Sequence, residues 1–340
     1  MMKSSYISLF ILLNTLISFG QQIPVLSGFN TQDFIFNPAV AGNQPYLIAG
    51  LTHRSQWTGF EYAPSTQLLS IHSSIDNRNS SFGGVFYNDK NGVVGNFSSS
   101  VSYSYKVEIR EATLSFGLSG SFAQYSLLSE RVLLHDNNDQ LVSGSGKMNA
   151  KAFNTSSGLY LQHPKYYVGV SGLNLLPTDY NFSNGASILP AKHFVVHYGY
   201  NFFVGTTDIL TLSTKQTFIS NLPTWTEVDL LYDLNQKVLL GIGYRHQDAI
   251  KLMLGGNFWK DFIGLYSYDI GINSLRSVNG GSHEITLAYH FHYNPTFSRD
   301  KKRYNTNFKG KKFSLKRSKM KKTKEGEENS SEENEEGDAE

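Results

Sequence analysis

Two pairs of histidines stand at spacings that put both rings of a pair on one side of an extended strand: His290 with His292, and His193 with His197. Imidazoles on one face can ligate a metal when further donors converge on them. No carboxylate of recognisable spacing completes either set and the chain has no cysteine, so the expectation is no metal and no cofactor. Glu227, Asp229 and Asp233 also share a face and could be mistaken for a general acid and base. On the wall of a water-filled lumen they serve more simply as charges that set polarity. Ser70 and His72 are the raw material of a nucleophile and its base. Yet no G-x-S-x-G, H-E-x-x-H or P-loop pattern occurs to organise them. Gly255-Gly256 and Gly280-Gly281 have no phosphate-loop context and read as turn or strand-crossing glycines. The sequence is read as a non-enzyme with no small-molecule substrate.

The elements carrying these residues are defined by alternation. In Val101-Ser102-Tyr103-Ser104-Tyr105-Lys106-Val107-Glu108-Ile109 every odd position is apolar or aromatic and every even one is polar, the period of a half-buried strand. Segments of this kind fall at 46–54, 66–75, 81–88, 96–109, 112–125, 152–162, 166–173, 192–203, 208–218, 225–234, 236–246, 249–258, 261–271 and 283–292. The fold class is all-β: a single transmembrane antiparallel β-barrel of about 14 strands, an even number that returns both ends to one side. The connections sort by parity. The even-numbered ones are short, and the long insertions, at 55–65, 126–151, 174–191 and 272–282, are all odd-numbered. Short turns on one side and longer loops on the other are the asymmetry of outer-membrane barrels, and a soluble sandwich has no reason to show it. The period then places Phe194, Val196, Tyr198, Tyr200 and Phe202 toward lipid, with His193, His197 and Asn201 inward. Val228, Leu230 and Tyr232 face outward opposite Glu227, Asp229 and Asp233. In the last strand Ile285, Leu287, Tyr289 and Phe291 face outward, and Glu284, His290 and His292 inward.

Both ends of the chain differ from the middle. Lys3, the apolar stretch Ile7 to Phe19, and small residues at Ser18 and Gly20 read as a signal peptide over 1–20, cleaved before Gln21. No cysteine follows the cleavage point, so no lipoprotein is expected. Residues 21–45 form a short periplasmic or plugging segment, and 46–292 the barrel. From about 293 to 340 the chain is basic, then acidic, with little apolar content. Such blocks of like charge cannot build a core and read as a disordered tail. The two blocks nearly cancel within a formal net charge of +2. The export signal argues against nucleic acid as the partner of the basic stretch.

A further pattern lies just before and after the first strand. Phe36-Asn37-Pro38-Ala39-Val40-Ala41-Gly42 is followed by Arg54-Ser55-Gln56-Trp57-Thr58-Gly59-Phe60. Then comes Ala63-Pro64-Ser65-Thr66-Gln67-Leu68-Leu69-Ser70-Ile71-His72. In order and spacing these resemble the N-P-x-x-A-G, R-x-Q-W-x-G-F and A-P-x-T-Q elements of the PorP/SprF family of type IX secretion system outer-membrane proteins from Bacteroidetes. Tyr166-Tyr167-Val168-Gly169-Val170-Ser171 is similar to the family's Y-Y-x-G-x-S strand. The charged tail departs from the family pattern. The resemblance implies an outer-membrane barrel that serves secretion or surface display of cargo such as large adhesins, with gliding in some members. It implies no catalytic site.

Arg54, Gln56, Trp57 and Phe60 are the candidate partner-binding residues. They sit where the first strand meets the first long loop, and Arg and Trp combine large contact area with directed donors. The competing reading makes Trp57 and Phe60 an interfacial girdle, with Arg54 and Gln56 knitting the loop. The expected role is a binding scaffold in the outer membrane, its termini periplasmic, whose partners are lipid, other type IX components and secreted cargo. The alternative is a solute channel resembling long-chain fatty-acid transporters. A third, more distant reading is an outer-membrane lipid hydrolase, which would need one essential serine.

Overall fold

The computed structural model describes residues 25–75, 79–128, 147–176, 178–182, 187–219, 223–259, 261–273, 276 and 279–291. The expected signal peptide, the tail, His292 and most of the long connection 126–151 lie outside the described residues.

Fourteen strands hydrogen-bond in sequence order and close on themselves. They are β1 (Leu47–Ser55), β2 (Ser65–Ser74), β3 (Ser80–Asn91), β4 (Val94–Ile109), β5 (Ala112–Leu128), β6 (Lys147–Gln162) and β7 (Tyr166–Leu173). After two minor strands come β10 (His193–Val204), β11 (Asp208–Ile219), β12 (Trp225–Leu234), β13 (Val238–Arg245), β14 (Ala249–Trp259), β15 (Phe262–Gly271) and β16 (Ser282–Phe291). The two minor strands, β8 (Tyr180–Asn181) and β9 (Ser187–Ile188), form a separate hairpin in the connection between β7 and β10. Closure is antiparallel, β1 against β16, with Leu47 opposite Phe291 and Ser55 opposite His283. Closing the sheet removes the unpaired edges that no lipid could satisfy.

The wall follows the period of two. In β4, Val101, Tyr103 and Tyr105 are exposed on the outside while Ser102, Ser104 and Lys106 are buried within. In β10, Phe194, Tyr198, Tyr200 and Phe202 face out and His193 and His197 face in. Aromatic side chains ring the end where the strands turn shortest. Tyr105, Phe116, Tyr166, Phe202, Trp259 and Phe291 are all exposed there, as interfacial girdles are.

Two boundaries differ from those the sequence suggests. The seven residues 89–95 form no loop, because β3 and β4 run on to a two-residue turn at Gly92-Val93. Gly92 supplies the positive φ of 61° that such a turn requires of its first residue. The strands β4, β5 and β6 are 16, 17 and 16 residues long, whereas about 9–11 tilted residues cross a bilayer. The excess stands beyond the membrane at the end bearing the long connections. Lys151 is exposed on that overhang, where a charge meets water and not lipid.

The lumen is occupied. Residues 25–46 run through it as three short 3-10 turns, Phe29–Thr31, Asp33–Ile35 and Pro38–Val40. Leu26, Phe29, Phe34, Phe36, Ala39, Val40 and Ala41 are buried against wall residues Leu68, Val85, Tyr160, Tyr167 and Val195 in one apolar cluster. Missing side chains on the wall admit the segment. A Cβ on Gly117 would lie 2.1 Å from the amide nitrogen of Ala39, and one on Gly158 2.1 Å from Asn37 Oδ1. Gly117→Ala and Gly158→Ala are therefore expected to lower stability by about 1–3 kcal/mol each, as overpacking does. At Gly120 an added Cβ meets nothing within 4 Å, so Gly120→Ala should be close to neutral. Thermal unfolding of the three variants in micelles tests this, and equal effects at all three sites would refute the fit.

Candidate functional site

The family-like motifs, distant from one another along the chain, converge where the internal segment meets the wall. Asn37 caps the third 3-10 turn by accepting the Ala39 amide at 3.0 Å, and Pro38 follows with no amide of its own to satisfy. The Asn37 Nδ2 also donates to the Leu159 carbonyl at 3.0 Å and lies 3.2 Å from His197 Nε2. His197 fits because residue 169 has no side chain: a Cβ on Gly169 would lie 1.8 Å from His197 Nε2. Two residues on, the Ser171 hydroxyl donates to the Phe36 carbonyl at 2.5 Å. Gly42 ends the element with φ +59°, where its amide donates to His72 Nδ1 at 3.0 Å and its carbonyl accepts from Lys106. His72 is thus engaged by the internal segment and is no base for Ser70.

The opposite sector of the wall carries a buried charge network. Arg54 donates to Asp269 at 2.8 Å and Glu284 at 3.3 Å, and also to the Ser27 hydroxyl. Arg245 joins Asp269 at 3.1 Å to Glu227 at 3.1 Å and Asp248 at 3.0 Å. Glu227 also holds Lys215 at 2.8 Å and Lys251 at 3.0 Å, and Lys251 reaches Asp229 at 2.7 Å. The Lys251–Asp229 contact spans β13, and Gly243 makes it possible, since a Cβ there would lie 2.1 Å from Asp229 Oδ1.

The internal segment closes this network from the inside. Ser27 and Gly28 donate their amides to the two oxygens of Glu284 at 2.7 and 3.0 Å. The Ser27 hydroxyl donates to Asp269 at 2.6 Å. The carbonyls of Leu26 and Ser27 accept from Arg245 at 3.3 Å and Lys251 at 3.2 Å. Lys215 lies 4.0 Å over the Phe36 ring and Lys251 5.0 Å over that of Phe29, positions that favour cation–π attraction. Four cations thus meet four nearly inaccessible carboxylates, with Asp248 a more open fifth. Part of the remaining hydrogen-bonding capacity is met by the segment. Further along it, Asp33 sits in the lumen 3.5 Å from the Tyr160 hydroxyl. Burial pushes its carboxyl up to about 7, against the opposing pull of backbone amides and Tyr160.

The four candidate partner-binding residues are divided by the structure. Arg54 is only 2% exposed and belongs to the internal network. Gln56, Trp57 and Phe60 lie in the connection 56–64, Phe60 exposed and the other two half-buried. This connection docks on the one before β16. Trp57 N donates to Ser282 Oγ at 3.1 Å, Thr58 N to the Gly281 carbonyl at 2.8 Å, and Gly280 N to the Thr58 carbonyl at 2.7 Å. Trp57 at φ +50° and Gly59 at φ +102° make the reversal. Of the other candidates, Glu227 and Asp229 are consumed in ion pairs. Among the described residues no cluster of three His, Cys, Asp or Glu is placed to hold a metal. The Ser27, Asp269 and Arg245 contacts had no sequence motif to announce them. The inward parity of Arg245, Lys251 and Asp269 was the available signal.

A closed fourteen-stranded barrel with an apolar exterior and a polar, filled lumen is the architecture of an outer-membrane barrel. The chain belongs to the family described as type IX secretion system membrane protein PorP/SprF, which it matches over residues 18–289. No curated protein matches it. Among solved structures it is similar to the Pseudomonas putida toluene transporter TodX, at 12% identity and a TM-score of 0.46, covering 80% of this chain and 95% of that one. A Pseudomonas aeruginosa FadL homologue is 12% identical with a TM-score of 0.43, covering 75% and 93%. Omp33 of Acinetobacter baumannii is 6% identical with a TM-score of 0.44, covering 74% and 100%.

Arg54→Ala leaves Glu284 without its cation and Asp269 with Arg245 alone, and should cost about 3–5 kcal/mol. Adding Glu284→Gln should cost less than the sum of the single changes, which a double-mutant cycle by chemical unfolding measures; strict additivity would deny the coupling. A second outcome follows from Asp33. Its folded value lies above its unfolded one, so the neutral acid favours the seated segment at low pH. That contribution is lost as pH rises toward and through about 7. Asp33→Asn should flatten the difference in protease protection of residues 25–46 between pH 5.5 and 8.5, and a slope equal to that of the unaltered protein would exclude this role.

Proposed function

We propose that the protein is an accessory barrel of type IX secretion that binds or helps display secreted cargo, large adhesins being the fitting class, in some settings linked to gliding. The observation carrying this reading is the filled lumen beneath a structured, partly apolar connection. A barrel whose interior is bolted to its own N-terminal segment by Arg54, Arg245 and Lys251 is built as a rigid support. It presents Gln56, Trp57 and Phe60 above that support. Arg54 acts as a positioning residue, fixing the end of β1 from which the connection 56–64 departs. Contact area from Trp57 and Phe60 with directed hydrogen bonds from Gln56 suits a protein partner.

In this reading residues 1–20 direct export and are removed. The short turns and both termini lie in the periplasm, and the long connections lie at the cell surface. The charged tail, 293–340, stays on the periplasmic side beside other secretion components. No bond is made or broken, so no cofactor enters.

Surface and supernatant proteomics of a deletion strain beside wild type tests the role. Loss of one or a few large surface proteins, restored by the intact gene, is the expected result. An unchanged surface with impaired uptake of a solute would favour the channel reading. Replacing Trp57 and Phe60 with Ala in the complementing gene should abolish display while the barrel still inserts; full display would remove the connection from the binding surface.

A further inference from the structure

A cavity in the lumen serves none of the charge network. It lies on the long-connection side of the internal segment, walled by β3 to β7 and floored by Phe34, Ile35 and Pro38. Its volume is about 110 Å³ and it is open at the mouth, so it admits one small ring or less and is smaller than the roughly 300–1,000 Å³ of drug-sized sites.

The lining is unlike the charged sector across the lumen. It holds no Lys, Arg, Asp, Glu or His. Six serines contribute hydroxyls, and Tyr87, Tyr125 and Tyr180 contribute rings, with Tyr125 set edge-on to Tyr180 at 4.5 Å. Two amides stand out. Asn154 is 6% exposed and neither its Nδ2 nor its Oδ1 has a hydrogen-bond partner. Asn96 is 8% exposed; its Nδ2 donates to the Tyr87 hydroxyl at 2.9 Å, while its Oδ1 is unpartnered. Buried polar atoms are seldom left unpaired, and those that are call for an account in terms of a ligand or role.

We infer that this cavity is a binding site for a neutral sugar unit, held by Asn154 and Asn96 and flanked by the tyrosine rings. Each sugar hydroxyl donates and accepts, as the serine hydroxyls and the amide pair of Asn154 do. Pyranose rings also carry apolar C–H faces, which aromatic walls and the Phe34-Ile35-Pro38 floor can cover. An anionic headgroup or chain terminus would find no counter-charge among the lining residues. A purely apolar solute would leave the open atoms of both asparagines unmet. The site does not depend on the secretion role, and either can fail alone.

The test uses full-length protein in a detergent without a sugar headgroup. Saturation-transfer NMR and titration calorimetry would be run with maltose and N,N′-diacetylchitobiose as probes. A neutral Ser-Gly-Asn tripeptide and toluene serve as competitors of other classes. Saturable binding of at least one disaccharide is expected, weakened tenfold or more by Asn154→Ala. Asn154 side-chain atoms have no partner to lose, so this variant should keep its unfolding temperature. Tyr125→Phe keeps the ring and should retain most of the affinity, while Tyr125→Ala should not. Binding of neither sugar, preference for the tripeptide or toluene, or unchanged affinity in Asn154→Ala would overturn the assignment.

Discussion

Everything in this molecule turns on the need to satisfy charges buried in the lumen of a closed barrel. Arg54, Lys215, Arg245 and Lys251 point inward because lipid forbids them the other face. Once inside they pair with Glu227, Asp229, Asp269 and Glu284. Pairing alone leaves lone pairs and N–H groups over, and a desolvated network of that kind is costly unless completed. The amides of Ser27 and Gly28 and the carbonyls of Leu26 and Ser27 supply much of what is missing. Wall and internal segment are therefore one unit, each supplying what the other lacks.

The same requirement explains the division of the wall. The sector from β11 round to β1 grips the segment by charge and directed hydrogen bonds. The sector from β3 to β10 receives it sterically, through Gly117, Gly158 and Gly169 and through short polar side chains such as Ser104 and Ser171. A filled lumen of this construction ties the network to the ends of β1 and β16, and so to the paired connections around Trp57 and Gly281.

Much of the barrel was legible in the order of residues. A wall with lipid outside and water or protein inside imposes a period of two, and β4, β10, β12 and β16 show it in their side-chain types. Counting the alternating segments gave the even strand number, and loop length by parity gave the two unlike ends. What failed was local. The turn at Gly92-Val93 was hidden because Asp89, Lys90 and Asn91 look like loop residues, yet they pair with Asn96, Gly95 and Val94 on an overhang where the outer face meets water. Arg54 was legible as a special residue but not as an inward one, since β1 is too weakly alternating to fix its register.

Period, parity and motif thus determined the class, the strand number and the family likeness, because each reports a local or repeating constraint that every strand must obey. Which residues meet across the lumen was decided only by tertiary structure. Closing the ring brings β1 beside β16 and sets Arg54, Asp269 and Ser27, separated by up to 242 residues of chain, within hydrogen-bond reach. No periodicity encodes a contact of that range. It exists because the barrel has one interior, and the eight charges of the network are brought together there.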